Sequence, residues 1–158
     1  MTDYMEKYWK TPQVVQWTQY LLDSYAHWIA QQLISRDEPP LDQAEQLFKS
    51  PFAVVSHGMQ DDPIFNYGNQ LALDLWEMHW NQFTQTPSRL SAETVNQKER
   101  ARMLAQAKDL GYISDYRGVR ISRSGKRFLV ESATVWNIHK PDGTPVGQAA
   151  TFSHWHYL

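Results

Sequence analysis

Residues 115–155, DYRGVRISRSGKRFLVESATVWNIHKPDGTPVGQAATFSHW, constrain the fold more than any other stretch of this chain. They read as three consecutive antiparallel strands, 116–122, 126–138 and 145–155, joined by two tight turns. Ser124-Gly125 makes the first turn, where glycine tolerates the positive φ that a hairpin demands. Pro141-Asp142-Gly143 makes the second: Pro presets φ, Asp bonds its own backbone and Gly takes the left-handed position. Strict alternation in the long central strand sends Phe128, Val130, Trp136 and Ile138 to one face and Leu129, Ala133 and Val135 to the other. The third strand alternates Val146, Ala150 and Phe152 with Ala149, Thr151 and Trp155. A sheet with one wet face alternates apolar and polar residues cleanly. This one does not, so both faces are expected to be covered.

The remainder supplies the cover. Thr11-Pro12 is a helix start, with Thr as cap and Pro in the first turn. The helix is expected to run to residue 35, with Val14, Trp17, Leu21, Tyr25 and Trp28 at helical spacing and Val15, Leu22, Ile29 and Leu33 widening the stripe. Residues 1–10 read as a loose lead-in. Pro39-Pro40 breaks the helix, and a short helix follows over 42–48. Short strands are expected at 52–56 and 64–67. Asn69 then caps a helix running to residue 80. Thr94 and Gln97 have the spacing of a capping box, opening a helix that Gly111 ends. The order is helices, two strands, helices, three strands, which is an α+β chain. The division is an N-terminal helical extension, 1–50, and a core domain, 51–158.

Composition removes several function classes. The 158 residues contain no Cys, which excludes disulfides, thiolate metal sites and cysteine nucleophiles. A net charge of −2 gives no basic signature for nucleic acid. No apolar run reaches membrane-spanning length, and the first residues, MTDYMEKYWK, lack the apolar core of a signal peptide. The expectation is a cytoplasmic protein bound to neither membrane nor nucleic acid.

The motifs carry the reading further. PIFNYGNQLALDLWE resembles the second strand and helix entry of a PAS domain, in which Asn commonly stands where Asn69 does. SAE at 91–93, Glu99-Arg100, GYISDYRGVRISRSGKRF, Val135-Trp136 and the GQAATFSHW ending, with Phe152 and Trp155, together resemble the MEKHLA domain family, a PAS-related group. The likeness covers residues 51–158. It implies a five-stranded antiparallel sheet of order 2-1-5-4-3 with helices on one face. It also implies a module that binds small molecules between sheet and helices, or pairs with other proteins. It supplies no catalytic residue and no defined cofactor. The missing Cys rules out the cysteinyl-flavin chemistry of the light-sensing PAS branch.

Each candidate side chain has a blander role beside the functional one. Phe65, Tyr67, Asn69, Trp76, Phe128 and Trp136 lie on the elements that surround a PAS cavity and are the ligand-pocket candidates, although the same rings would serve to fill a core. Trp17, Leu21, Tyr25 and Trp28 are the dimer-interface candidates, although their stripe would equally cover this chain's own sheet. His154 and His156 share a strand face, but no metal site is assigned, because zinc wants three or four ligands. His79 is the candidate axial ligand were a haem bound. Asp61, Asp62, Asp74, Glu77 and Glu93 have no nucleophile or base beside them, and Asp74 and Glu77 read as a solvated helix edge. Arg117, Arg120, Arg123, Lys126 and Arg127 form a basic hairpin that keeps a sheet edge soluble. The expectation is a non-enzymatic sensory or ligand-binding module acting as a homodimer, its cofactor unknown, with a possible unidentified protein partner. The alternatives are a structural interaction domain with a filled core and, behind it, a small α+β enzyme.

Overall fold

The computed structural model describes residues 7–158. Positions 1–6 of the expected lead-in lie outside the described residues, and Tyr8–Lys10 form a single 3-10 turn. The elements that follow are α1 (Pro12–Ile29), α2 (Pro40–Phe48), β1 (Ala53–His57), β2 (Phe65–Gly68), α3 (Gln70–Trp76), α4 (Trp80–Phe83), α5 (Thr94–Leu110), β3 (Tyr112–Ile121), β4 (Arg127–His139), β5 (Pro145–Phe152) and β6 (His154–Tyr157). The sheet order is β2-β1-β5-β4-β3, and β6 also pairs with β4. β6 continues β5 in unchanged register past a break at Ser153: Thr134 faces Thr151 on one side of it and Glu131 faces His154 on the other. The expected third strand is thus present along its whole length, but interrupted.

Two rows of side chains explain the layers. Ser56, Ala149, Trp136 and Tyr112 face one another across β1, β5, β4 and β3. α1 lies across this row. Trp17 Nε1 donates to Ser56 Oγ at 2.8 Å, and Trp136 Nε1 donates to the Leu21 carbonyl at 3.2 Å. The Tyr25 ring meets Trp136 edge-on at 4.9 Å, and the Trp28 ring lies 6.5 Å from Tyr112. The match is metric. Eleven residues of helix rise about 16 Å, and three strand spacings span about 14 Å. The stripe offered as a dimer interface meets the sheet of its own chain, and Leu21 is fully buried there. The second row, Val55, Ala150, Val135 and Ile113, lies on the opposite face, where Met103 and Ala107 of α5 pack on Val135. Both faces are covered, as the mixed patterning requires.

The alternation expected for β4 fails at one residue. Ser132 has φ 54° and Asp115 on the neighbouring strand has φ 57°, and the β3–β4 register shifts between Tyr116 and Gly118. The extra residue in this bulge reverses the facing of everything beyond it. Phe128, Val130, Ala133 and Val135 therefore share the α5 face, and Trp136 and Ile138 lie on the α1 face.

Helix ends differ from expectation in three places. α1 stops at Ile29 because Ala30 turns left-handed, φ 63°, which lets Ile34 fold back into the core. α3 stops at Trp76, where Glu77 takes φ 59°. α5 has Glu93, not Thr94, at its cap, with no side-chain capping bond; Gln97 Nε2 instead donates to the Ala92 carbonyl at 3.0 Å. Residue 50 separates no cores: Leu21, Leu22, Ala44 and Leu47 belong to the same buried cluster as Val54, Trp136 and Ile138.

Candidate functional site

Between α5 and the sheet lies a cavity of about 60 Å³. Its apolar walls include Val55, Phe65, Trp76, Val130, Val135 and Phe152. The β4 bulge makes this lining, since it brings Val130 onto the face that Ala133 and Val135 share. One side of the cavity is polar and carries His57, Arg100, Tyr116, Arg120 and Gln148. Four residues of the wall, His57, Arg100, Leu104 and Gln148, also line an open cleft of about 840 Å³ on the outside. They are where cavity and cleft adjoin.

His57 sits at the bulged end of β1, where the register shifts after Ser56. Its Nδ1 lies 2.8 Å from Ser88 Oγ and its Nε2 3.2 Å from Gln148 Oε1. Burial, and then the Arg100 charge, pull its pKa down to about 4, against the opposing hydrogen bond to Gln148. The imidazole is therefore neutral at pH 7. Gln148 Nε2 donates onward to the Leu104 carbonyl at 3.0 Å and to Asn137 Oδ1 at 3.2 Å. Tyr116 donates its hydroxyl to Glu99 Oε1 at 2.9 Å and accepts from Arg120 Nη2 at 3.2 Å. Arg120 also donates Nη1 to the Val119 carbonyl at 2.8 Å. Burial and the Arg120 charge pull the Arg100 guanidinium down to about 10, so it stays charged at neutral pH.

The pocket candidates divide. Phe65 and Trp76 line the cavity. Phe128 stands behind Trp76, ring to ring at 5.2 Å. Trp136 is on the other face, under α1, because the bulge reverses it. Tyr67 faces away as well: it pairs across β1 with Ser56 and packs edge-on to Trp80 at 5.8 Å. Asn69 is a structural bracket. Its Oδ1 accepts from Ala72 N at 3.2 Å and Val54 N at 3.0 Å, and its Nδ2 donates to the carbonyls of Leu47 at 3.2 Å and Phe52 at 2.8 Å.

The other candidates disperse. His79 is an exposed N-cap residue of α4. His156 lies 3.3 Å from Glu131, and among the described residues no cluster of three potential ligands could hold a metal ion. Asp62 pairs with Arg89 and Glu93 with Arg127. The basic hairpin is not one strip: Arg117, Lys126 and Arg127 have carboxylate partners, and Arg120 is buried against the cavity. Glu77 is no solvated edge. It accepts from Ser122 Oγ at 2.6 Å, from Ser124 Oγ, and from Ser124 N at 3.2 Å, and these bonds hold its carboxyl down to about 2. Sequence reasoning missed Arg100, Arg120 and His57 as cavity residues. Arg100 stands on a helix of charged composition, and only the fold shows which charges turn inward.

The sheet order and the helix-covered cavity define the PAS fold, and solved structures agree. The PAS domain of a protein from Colwellia psychrerythraea matches with a TM-score of 0.61 at 13% identity, over 74% of this chain and 94% of that one. A light-oxygen-voltage domain studied with a flavin analogue matches at 0.58 and 12% identity, over 78% and 88%. An RNA-binding light-oxygen-voltage receptor matches at 0.63 and 12%, over 75% of this chain and 34% of that one. Comparison with curated proteins gave no match. Within the PAS class, the chain belongs to the MEKHLA domain family, whose pattern it matches over residues 15–157. That match takes in most of α1, beyond the 51–158 that the motifs indicated. No helix among the described residues is long and apolar enough to cross a membrane.

Proposed function

We propose that this chain is a non-enzymatic sensory module that takes a small ligand into the cavity between α5 and the sheet and reports it through α1. One observation carries the reading: the apolar cavity with a charged side stands directly behind the strands on which α1 rests. Val135, Ala149 and Ala150 touch the cavity, and Trp136, the chain neighbour of Val135, lies under α1 against Leu21 and Tyr25. A ligand that favours one arrangement of the cavity-facing second row therefore biases the packing of the first row under α1.

The volume limits the ligand. Drug-sized and cofactor pockets run to roughly 300–1,000 Å³, so a cavity of about 60 Å³ does not fit a three-ring flavin. A cysteinyl adduct is excluded outright by the lack of Cys. The same small volume supports a second reading, an interaction domain whose core is nearly full. Native mass spectrometry of the protein as purified separates the two. A stoichiometric extra mass of small-molecule size is the expected result, and a ligand-free species at every concentration favours the interaction domain. The spectrum also counts subunits. Since the α1 stripe is used on the chain's own sheet, a homodimer would join through other surface.

A further inference from the structure

Two arginines line the cavity, and its walls contain no Asp or Glu. Both are more than nine-tenths buried, Arg100 with 9% of its surface exposed and Arg120 with 8%. Neither has a carboxylate partner among the described residues, and Arg100 has no hydrogen-bond partner there either. Arg120 donates only to a carbonyl and to the Tyr116 hydroxyl. Two like charges this deeply buried, with no carboxylate beside them, are unfavourable unless an anion balances them. A further donor has no acceptor: Trp76, another wall residue, has its Nε1–H buried and without a hydrogen-bond partner. The cavity thus offers two guanidinium forks to an anion. Guanidinium geometry suits a carboxylate in particular.

We propose that the cavity ligand is a small organic carboxylate, its carboxyl group taken by Arg100 and Arg120 and its carbon chain laid against Phe65, Trp76, Val130 and Phe152. This rests on the sensory reading above and specifies its ligand class. Size follows from volume. At about 10–15 Å³ for each water-sized occupant, a cavity of about 60 Å³ suits an acid of about four to six heavy atoms. The apolar walls argue against a wholly polar inorganic anion. Entry is at the wall that Arg100, Leu104 and Gln148 share with the outer cleft, whose rim carries Arg89, Lys98 and Lys108.

The test titrates the whole protein with sodium propionate and sodium butyrate to tens of millimolar, against propionamide as neutral isostere and sodium chloride at matched ionic strength. The readouts are the indole N–H resonance of Trp76 and the thermal midpoint. Saturable movement of that resonance and a midpoint raised by several degrees with the acids, but not with the amide or chloride, is the expected result. Arg100→Met should abolish both responses, and a wild-type response to the acids alone suffices if that variant does not fold. An equal response to chloride overturns the organic ligand in favour of a simple anion site. A response to the amide alone overturns the carboxylate class and leaves the sensory reading standing. No response to any probe overturns the proposal, and, joined to a ligand-free native spectrum, it overturns the sensory reading too.

Discussion

His57 makes the stability of this protein depend on pH in a window where few other side chains titrate. Its pKa falls from 6.5 to about 4 because the ring is buried beside Arg100. Below pH 6.5 the unfolded chain takes up a proton that the folded chain refuses until about pH 4. Stability is therefore full above pH 6.5, declines from there to about pH 4, and levels off below. At about 1.4 kcal/mol per unit, the whole decline is about 3 kcal/mol, of which about 2 kcal/mol is lost by pH 5. For a chain of this length about 1 kcal/mol moves the thermal midpoint by roughly 2–4 °C, so the midpoint should drop by about 4–8 °C between pH 7 and pH 5. His139, also lowered by burial and by its neighbour His27, adds to the slope in the same direction. The assay is differential scanning calorimetry across this range on wild type and His57→Gln, which keeps hydrogen-bonding capacity toward Ser88 but cannot titrate. The variant should lose most of the pH slope, and Arg100→Met should raise the His57 pKa measured by NMR. Equal slopes in wild type and His57→Gln, or a His57 pKa at or above 6.5, would refute the reasoning.

Three further substitutions probe other parts of the account. Asn69→Ala removes a fully buried amide that makes four hydrogen bonds; leaving those partners unmet should cost at least about 3 kcal/mol in urea unfolding, whereas a pocket role without a structural one would leave stability unchanged. Gly111→Ala forces a side chain at φ +96° against the Trp28 ring; it should cost about 1–3 kcal/mol, with loss of near-ultraviolet signal from the displaced indole. Glu77→Gln should flatten the acid limb of unfolding. A carboxyl held near 2 contributes stability that is present above its ordinary pKa and lost as pH falls toward 2, so a variant with an unchanged acid limb speaks against the Ser122–Ser124 bracket.

Much of the fold was legible because local chemistry and global pattern agree. Thr11 and Asn69 cap helices in the structure as their side chains suggest, Gly111 ends α5, and the two turns of the meander take positive φ at Gly125 and Gly143. The mixed faces of β4 and β5 foretold cover on both sides. What was not legible has a common cause: a single residue with an unexpected backbone angle. Ser132 carries no sign of its left-handed φ, yet it decides that Trp136 belongs under α1 and Val130 in the cavity wall. Ala30 and Glu77 similarly shorten helices whose periodicity runs on past them. The charged lining was hidden for another reason. Arg100 and Arg120 sit among other charged residues in sequence, and only the packing of α5 on the sheet shows which charges turn inward without a carboxylate partner.

We propose that the cavity behind β4 and β5 is a ligand site with an anion-binding side. A crystal structure of the full chain, purified without carboxylate buffers, tests it most directly. The expected result is density for a small molecule against Phe65, Trp76 and Phe152, with acceptor atoms at hydrogen-bond distance from Arg100 or Arg120. A cavity closed by its own side chains, with the Arg100 guanidinium turned outward into the cleft beside Lys98 and Lys108, would contradict it.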